Sequence, residues 1–363
     1  MSENAFQVSR VIALEEHAWT PKLRAALLKF GGDDTVTTFS NEDKTNQRLL
    51  DVGEERLARM EAAGVDFQVL SITAPGTQQL PPAFAVPLAR DANDFLADAV
   101  QRRPDCFAAF ATLPTPDPEA AADELRRCVT ELKFVGAMLF PRTGPNYLDH
   151  SSFRPIFEVA AELKVPLYIH PGVPPEAVRE ACYGDFGFAT NLMLSTGGWG
   201  WHAEAGLAAL RLILAGTFDR HPDLQIILGH WGEMLVSFAD RADALTKTTH
   251  LERRVLDYIT GNIYATPGGV FSDRMMRQIL DVLGPDRIMF AVDDPFNSTL
   301  GQQGKDPSGP HSRRGFARSF IETAPISAED KSKLAHLNAE RLLLARAERV
   351  SELASLKITG DKG

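Results

Sequence analysis

The chain of 363 residues carries a formal net charge of −10 at pH 7, and 44% of its residues are hydrophobic and 24% charged. This composition excludes a largely disordered chain, and the acidic balance argues against a nucleic-acid-binding surface. The sequence begins without a basic segment followed by an apolar one and contains no apolar run of 18 residues, so it predicts neither export nor membrane spanning. Its three cysteines show no spacing typical of a disulfide framework or a zinc motif, which favours the reduced cytoplasm.

Short apolar runs alternate with helical patterns along the chain and predict eight β-strands. The runs are continuous, as is typical of parallel strands that are covered on both faces. In chain order they are 11–14, 67–72, 107–113, 135–140, 166–169, 224–228, 263–265 and 288–292. The helices predicted between them include 50–63, 120–132, 153–163 and 205–218. The alternation predicts one (β/α)8 barrel, a TIM barrel, over residues 1–363, with an open doubly wound sheet as the alternative.

Three long connections follow predicted strands one, five and eight, at 19–46, 172–204 and 297–319. Loops that follow barrel strands lie on the C-terminal face, where active sites are built, so their length indicates pocket walls or lids. The third connection is rich in Gly, Ser and charge and predicts a mobile loop insertion. Residues 344–363 are expected to form a C-terminal helix and tail.

Ionisable side chains follow the predicted strands at their C-terminal ends. Glu15 and His17 end strand one, His170 follows strand five and Asp293 follows strand eight. Because these strand ends surround one opening, the four side chains are expected to converge on one divalent cation, Zn²⁺ or Mn²⁺, with Mg²⁺ as a further candidate. The alternative for any single histidine is a structural hydrogen bond at a strand end, but four coincident placements argue against it.

A second motif follows predicted strand six, where His230 precedes Glu233 by three residues at an expected helix start. A carboxylate at this spacing can fix the tautomer of the imidazole and raise its basicity, so the pair is predicted to handle protons, together with Asp293. The alternative is that Glu233 only caps the next helix. Arg241, farther along, is a candidate for pairing with a substrate carboxylate, unless it is an exposed structural arginine.

Aromatic residues near these positions suggest the walls of a pocket for a small ring-bearing acid. Trp19, Trp199 and Phe296 are predicted to contact the substrate. The alternative for each of them is ordinary packing at a barrel mouth.

Several longer motifs contain these residues and together resemble the decarboxylase branch of the amidohydrolase superfamily, which includes γ-resorcylate, 2,3-dihydroxybenzoate and aminocarboxymuconate semialdehyde decarboxylases. The motifs are Ala-Leu-Glu-Glu-His at 13–17, Leu-Ser-Ile-Thr-Ala-Pro at 70–75, Val-Pro-Leu-Tyr-Ile-His-Pro at 165–171, Ile-Ile-Leu-Gly-His-Trp-Gly-Glu at 226–233 and Asp-Asp-Pro-Phe at 293–296. The resemblance implies that Glu15, His17, His170 and Asp293 hold the metal. It also implies a homodimer or homotetramer, in which Arg241 contributes across a subunit boundary.

The sequence departs from this family at three places. Asp294 stands where the family usually has Trp or Tyr, which predicts an additional acidic group near the substrate. Gly172 stands where relatives often carry Arg, and the 297–319 segment has no clear counterpart. The prediction is therefore metal-dependent, non-oxidative decarboxylation of a small hydroxyaromatic acid. Two alternatives stay open: a metal-dependent hydrolase or hydratase for a lactone, ester or amide, and an inactive barrel that acts as a binding subunit.

Overall fold

Two parallel sheets form the centre of the structure, a computed structural model that describes residues 6–30, 43–296 and 315–344. The first sheet has the strand order β11-β1-β2-β3 and the second the order β10-β9-β8-β5-β4, while β6 and β7 form a separate hairpin. The strands are β1 (Ile12–Ala18), β2 (Phe67–Ile72), β3 (Phe107–Ala109), β4 (Ala111–Thr112), β5 (Ala137–Leu139), β6 (Arg142–Thr143), β7 (Asn146–Tyr147), β8 (Leu167–Ile169), β9 (Ile226–Leu228), β10 (Ile263–Ala265) and β11 (Phe290–Ala291).

The two sheets are joined at both margins. β3 and β4 are parts of one extended segment that is divided only at Phe110, whose N–H donates to the carbonyl of Leu70 at 2.9 Å. At the other margin Ala265 forms a parallel bridge with Ile288, and the N–H of Met289 donates to Ala265 at 2.9 Å. Eight parallel segments therefore surround one interior, although two breaks interrupt the ladder of hydrogen bonds. The prediction of a (β/α)8 barrel is confirmed.

Helices lie between the strands and after β11. They are α1 (Pro21–Phe30), α2 (Asp43–Leu50), α3 (Glu54–Ala63), α4 (Pro82–Arg102), α5 (Pro118–Thr130), α6 (Arg154–Glu162), α7 (Glu176–Cys182), α8 (Phe188–Ser195), α9 (Gly200–Leu214), α10 (Thr217–Arg220), α11 (Ala239–Ala242), α12 (Val255–Asn262), α13 (Asp273–Leu283), α14 (Phe316–Thr323) and α15 (Ala328–Ser332). Within the described ranges, none of these helices has both the length and the apolar character needed to cross a bilayer.

Local capping chemistry explains where the predicted helices were right and where they were wrong. α5 begins as predicted, because Asp117 accepts a hydrogen bond from the N–H of Ala120 at 3.2 Å and Pro118 occupies the first turn. The single helix predicted at 50–63 is wrong: Asp51 accepts from the N–H of Gly53 at 3.0 Å in a turn that separates α2 from α3. The helix predicted at 205–218 begins earlier, at Gly200.

The alternating side chains of the strands divide the apolar core in two. Ile12, Leu14 and Val69 belong to a cluster inside the barrel, whereas Val11 and Leu70 belong to the cluster between the strands and the helices. Both faces of each strand are thus buried, which explains the continuous apolar runs of the sequence.

The predicted insertion and tail fall mostly on positions that the structure does not describe. Of the segment 297–319, residues 297–314 lie outside the described ranges, and Phe316 already begins α14, so this part is helix rather than loop. Of the segment 344–363, only Leu344 is described.

Candidate active site

The C-terminal end of β1 carries two of the candidate ligands on an irregular backbone. The register between β1 and β2 shifts between Ala13 and Glu16, and Glu15 has a φ of 68°. A bulge therefore lies between Ala13 and Glu16, so the backbone that carries Glu15 and His17 is not regularly extended. The N–H of His17 donates to the carbonyl of Asp294 at 2.8 Å, which ties the end of β1 to the segment after β11.

The structure brings Glu15, His17, His170 and Asp293 together from three strand ends. One ligand-type atom from each residue lies within 4.8 Å of those of the other three. Oε1 of Glu15 lies 3.4 Å from Nε2 of His170, and Oδ1 of Asp293 lies 3.1 Å from Nε2 of His17. All four residues are buried. Side chains that are separated by almost the whole sequence thus share one centre, as the positions of the strand ends predict.

These four residues fit a divalent cation. Oε1 of Glu15 and Nε2 of His17 are buried and make no hydrogen bond with any part of the chain that the structure describes. Burial raises the pKa of Glu15 to about 8, because its surroundings do not compensate the charge of the carboxylate. Burial likewise lowers the pKa of His170 to about 3, which keeps its imidazole neutral, as a metal ligand must be. Two imidazoles and two carboxylates are a donor set that suits zinc or manganese.

The segment after β9 places His230 beside this cluster. Residues 230–234 all have positive φ, from 45° at His230 to 87° at Gly232, so they form a left-handed turn and not the predicted helix start. Within the turn, Nδ1 of His230 lies 2.7 Å from Oε1 of Glu233. A Cβ atom at Gly229 would lie 2.9 Å from both carboxylate oxygens of Glu15 and 3.0 Å from Oε1 of Glu233, so a larger residue there would displace the two carboxylates.

Opposite charges stabilise the ionised forms of the His230 and Glu233 pair. Although burial opposes it, the neighbouring His230 and His202 lower the pKa of Glu233 to about 2. Burial also opposes the charge of His230, but the carboxylates of Glu233 and Glu15 raise its pKa well above the usual value. Nε2 of His230 faces Asp293, with 3.8 Å between it and Oδ2. The arrangement places a charged imidazole against the metal-ligand cluster.

Two residues of the site were missed in the sequence. Tyr168 donates a short hydrogen bond from its hydroxyl to Oε2 of Glu15, and it lies two residues before His170, on the same side of the strand. That spacing is a signal that could have identified it. His202 contacts Glu233 with Nδ1 at 2.7 Å from Oε2. It comes from the long connection after β8, where no periodic pattern indicates which side chains turn inward.

The residues predicted to contact the substrate lie in different surroundings, and not all of them are near the metal-ligand cluster. The ring centroid of Phe296 lies 5.6 Å from that of His17, so Phe296 lies at the cluster. Trp199 is 51% exposed at the start of α9, and Arg241 is exposed on α11. Trp19 is fully buried in the outer apolar core, which leaves its ring no exposed surface for a substrate. The prediction for Trp19 is therefore corrected, because packing occupies its ring.

Asp294 also differs from the prediction. Its Oδ2 lies 3.3 Å from Nη2 of Arg59 and 3.9 Å from Nη1 of Arg56. Two guanidinium groups thus compensate the charge of Asp294, so it is not the uncompensated acidic group near the substrate that the sequence predicts. The helix α3 that carries both arginines lies directly before β2, so only the packing of α3 reveals this pairing.

A cavity of about 1000 Å³ lies on the C-terminal face of the barrel. The segments after β2, β4, β5 and β8 line it, including Gln78, Thr115, Arg142 and Arg179. None of the four clustered residues lines this cavity, so the cluster with the metal-binding geometry and the cavity are separate features.

Comparison with protein families and curated proteins relates this geometry to known enzymes. A family model described as Amidohydrolase matches residues 22–344. The chain is 35% identical over 347 residues to γ-resorcylate decarboxylase of Rhodococcus jostii (strain RHA1), a match that covers 91% of this chain and 97% of the relative.

Two solved structures are similar over nearly the whole chain. The 5-carboxyvanillate decarboxylase of Sphingomonas paucimobilis superposes with a TM-score of 0.81 at 33% identity, covering 92% of this chain and 99% of the other. The dihydroxybenzoic acid decarboxylase of Polaromonas sp. JS666, solved with bound manganese and the inhibitor 2-nitroresorcinol, gives a TM-score of 0.77 at 33% identity, covering 92% of this chain and 96% of the other.

Proposed function

Because the chain belongs to the amidohydrolase family, in its decarboxylase branch, we propose that it catalyses the metal-dependent, non-oxidative decarboxylation of a small hydroxyaromatic carboxylic acid. The observation that carries the proposal is the buried cluster of Glu15, His17, His170 and Asp293, with the His230 and Glu233 pair against it. Such an activity belongs to the degradation of aromatic acids.

The four clustered residues would hold one divalent cation. Manganese is supported by the Polaromonas structure and by the donor set, zinc fits the same donors, and magnesium is the third candidate. When bound there, the cation supplies Lewis acidity toward the carboxylate of the substrate and a neighbouring phenolic oxygen. Phe296 is positioned beside His17 to form an apolar wall against a ring, which orients the substrate.

The residues of the chain supply the proton that the reaction consumes. The bond between the ring and the carboxylate carbon breaks, its electron pair stays on the ring carbon, and that carbon takes a proton as carbon dioxide leaves. Asp293 and His230 lie next to each other and are the candidate donors. Since Nδ1 of His230 is engaged by Glu233, its Nε2 is the atom available to the substrate.

Arg241 and the subunit arrangement form one linked part of the proposal. Arg241 is exposed on α11, next to Phe238, which is 60% exposed, and Phe188 and Trp199 are also largely exposed. Exposed aromatic side chains of this kind favour contact with a second copy of the chain. We therefore propose a homodimer or homotetramer in which Arg241 binds the substrate carboxylate in the neighbouring subunit.

Mixing two inactive variants tests the linked proposal. Arg241→Met and Glu15→Gln chains, each inactive alone, are expected to regain activity when they are unfolded together and refolded, because a mixed dimer contains one site with both residues intact. No recovery, with mixed dimers detected by a tag, would show that Arg241 acts within its own subunit or not at all.

The decisive experiment measures gas release. The purified protein, loaded with Mn²⁺ or Zn²⁺, is incubated with a panel of hydroxybenzoates, and carbon dioxide is recorded beside pH-stat titration, with Asp293→Asn as the matched control. We expect carbon dioxide from at least one acid and none from the control. Acid release from lactones, esters or amides without gas would establish the hydrolase alternative instead. A protein with no affinity for either metal would support the inactive barrel. The cytoplasmic location stays a prediction, which cell fractionation tests.

A further inference from the structure

His202 lies in the first turn of α9, at the outer side of the candidate active site. Its side chain is 16% exposed, whereas that of Glu233 is fully buried. Nδ1 of His202 lies 2.7 Å from Oε2 of Glu233, and Nδ1 of His230 lies 2.7 Å from Oε1 of the same carboxylate. One buried carboxylate therefore joins two imidazoles, of which only the one of His230 faces the metal-ligand cluster.

Nε2 of His202 has a hydrogen-bond partner whether or not it carries a hydrogen. The indole N–H of Trp201 lies 3.1 Å from Nε2 and donates to it when Nε2 is unprotonated. The carbonyl oxygen of Gly197 also lies 3.1 Å from Nε2 and accepts from it when it carries a hydrogen. In both states Nδ1 keeps its hydrogen and donates to Glu233. The contact between His202 and Glu233 therefore does not depend on the charge of His202.

The position of the Glu233 carboxylate decides which nitrogen of His230 is free. When Oε1 accepts from Nδ1 of His230, the ring presents Nε2 toward Asp293 and the reacting carbon. A carboxylate held by only one imidazole could rotate about its terminal bond. Among the described residues, the hydrogen bonds found to the Glu233 carboxylate come from His230 and His202. The N–H of Glu233 donates to the carbonyl oxygen of Gly229 at 3.2 Å. This hydrogen bond fixes the main chain but not the carboxylate.

We propose that His202 is a positioning residue for the reaction: it holds the carboxylate of Glu233 so that Glu233 fixes the orientation of the His230 ring, with Nε2 turned toward Asp293. The inference rests on the proposed decarboxylation, in which His230 is a candidate proton donor. His202 acts through Glu233, and its ring also packs against that of His230, with 4.6 Å between the ring centroids.

Two substitutions of His202 test whether its hydrogen bond to Glu233 or only the volume of its side chain supports the reaction. His202→Ala removes the donor and is expected to lower kcat by about 10-fold to 100-fold, the usual effect of losing a residue that orients an active-site group, with KM and metal content unchanged. His202→Asn places an amide N–H near the position of Nδ1 and is expected to restore most of kcat. His250→Ala, at an exposed histidine far along the chain, is the matched control and should behave as wild type.

A double-mutant cycle tests whether the effect passes through Glu233. His202→Ala is expected to have no further effect on kcat in a Glu233→Gln background, because the group on which it acts has been changed. Unaltered kcat in His202→Ala, an equal loss in the Ala and Asn variants, an additive loss in the double variant, or loss of bound metal in His202→Ala would each overturn the proposal.

A spectroscopic readout keeps this inference separate from the proposed function. In protein with ¹⁵N-labelled histidine, the ring nitrogens of His230, assigned by comparison with His230→Gln, report the hydrogen bond of Nδ1 directly. We expect the Nδ1 signal of His230 to shift and broaden in His202→Ala, because the carboxylate of Glu233 that accepts from Nδ1 is held less firmly, and to return to its wild-type position in His202→Asn. Should no acid release carbon dioxide, decarboxylation fails, yet these spectra still decide the role of His202. Unchanged His230 signals in His202→Ala would contradict it.

Discussion

Glu15 and Glu16 are neighbours in β1, both have no exposed surface, and burial raises the pKa of both, yet their surroundings differ. Both oxygens of Glu16 are hydrogen-bonded: Nε2 of Gln68 and the N–H of Val292 each donate to one of them at 2.9 Å. Glu15 has the hydroxyl of Tyr168 on Oε2, whereas Oε1 makes no hydrogen bond within the described part of the chain.

This contrast distinguishes a structural buried carboxylate from a functional one. Glu16 belongs to a network in which Arg56 donates to Gln68 and to the carbonyl of His17, so the buried charges lie near a buried cation. Glu15 faces other ligand-type groups, and the cation nearest to it is the imidazole of His230, whose Nδ1 lies 3.8 Å from Oε1 and donates to Glu233 instead. A buried polar atom that is left without a partner costs free energy unless a ligand completes it, so the incomplete side of β1 is the functional one.

The largest expected effect follows from Glu15→Gln. The loss of a ligand is expected to reduce metal binding and to lower decarboxylation by more than about 1000-fold, since the metal supplies several kcal/mol of transition-state stabilisation. The metal-free variant should nevertheless unfold at an equal or higher urea concentration than metal-free wild type, because burial opposes the charge of the Glu15 carboxylate and raises its pKa to about 8, so the neutral amide removes no favourable charge. Metal analysis and urea titration measure both. Glu16→Gln is the matched control and should keep the metal content of wild type. Wild-type metal content in Glu15→Gln would contradict the functional assignment of Glu15.

A smaller effect on chemistry but a large one on stability is expected from Arg56→Met. The substitution leaves Glu16 and Asp294 without their buried guanidinium and should lower the free energy of unfolding by about 3–5 kcal/mol, the range found when one partner of a buried ion pair is removed. Urea denaturation of the metal-free protein measures it. Arg59→Met removes a partner of Asp294 that is 20% exposed and should cost about 1 kcal/mol or less. Equal losses in the two variants would contradict the assignment of Arg56 to a structural network.

The smallest effect is expected at Glu124, a carboxylate on α5 that accepts hydrogen bonds from Asn93 at 2.8 Å and Arg127 at 2.7 Å. Although burial opposes it, hydrogen bonds from Arg127 and Asn93 lower the pKa of Glu124 below its usual value of 4.5. Glu124→Gln should therefore cost about 1 kcal/mol at pH 7. The stabilisation is fully present above pH 4.5 and is lost as pH falls through the lowered folded-state pKa, so the gap to wild type should narrow in acid.

Urea titrations of both proteins from pH 7 to pH 3 measure this gap, and metal content serves as the control because Glu124 lies away from the cluster. A gap that stays constant or widens in acid would show that the carboxylate is not stabilised by its charge. Glu124 would then be a third kind of buried carboxylate in this protein, one whose contribution to stability comes from packing and not from its charge.

The barrel and the residues at its strand ends could be predicted from the sequence. Apolar runs of the right length fixed eight parallel strands, and the rule that strand ends share one opening selected Glu15, His17, His170 and Asp293 before any coordinates. These inferences succeed because they depend on local periodicity and on topology, which the order of the chain contains.

The residues that pack around the metal-ligand cluster and complete the site could be identified only from the tertiary structure. The pairing of Asp294 with Arg59, the contact of His202 with Glu233 and the left-handed turn at 230–234 all depend on how separate segments pack against each other. Neither residue spacing nor propensity contains that information, because side chains of irregular loops take their direction from the surfaces they meet. The same physical limit explains why Trp19, near the cluster in sequence, became part of the core.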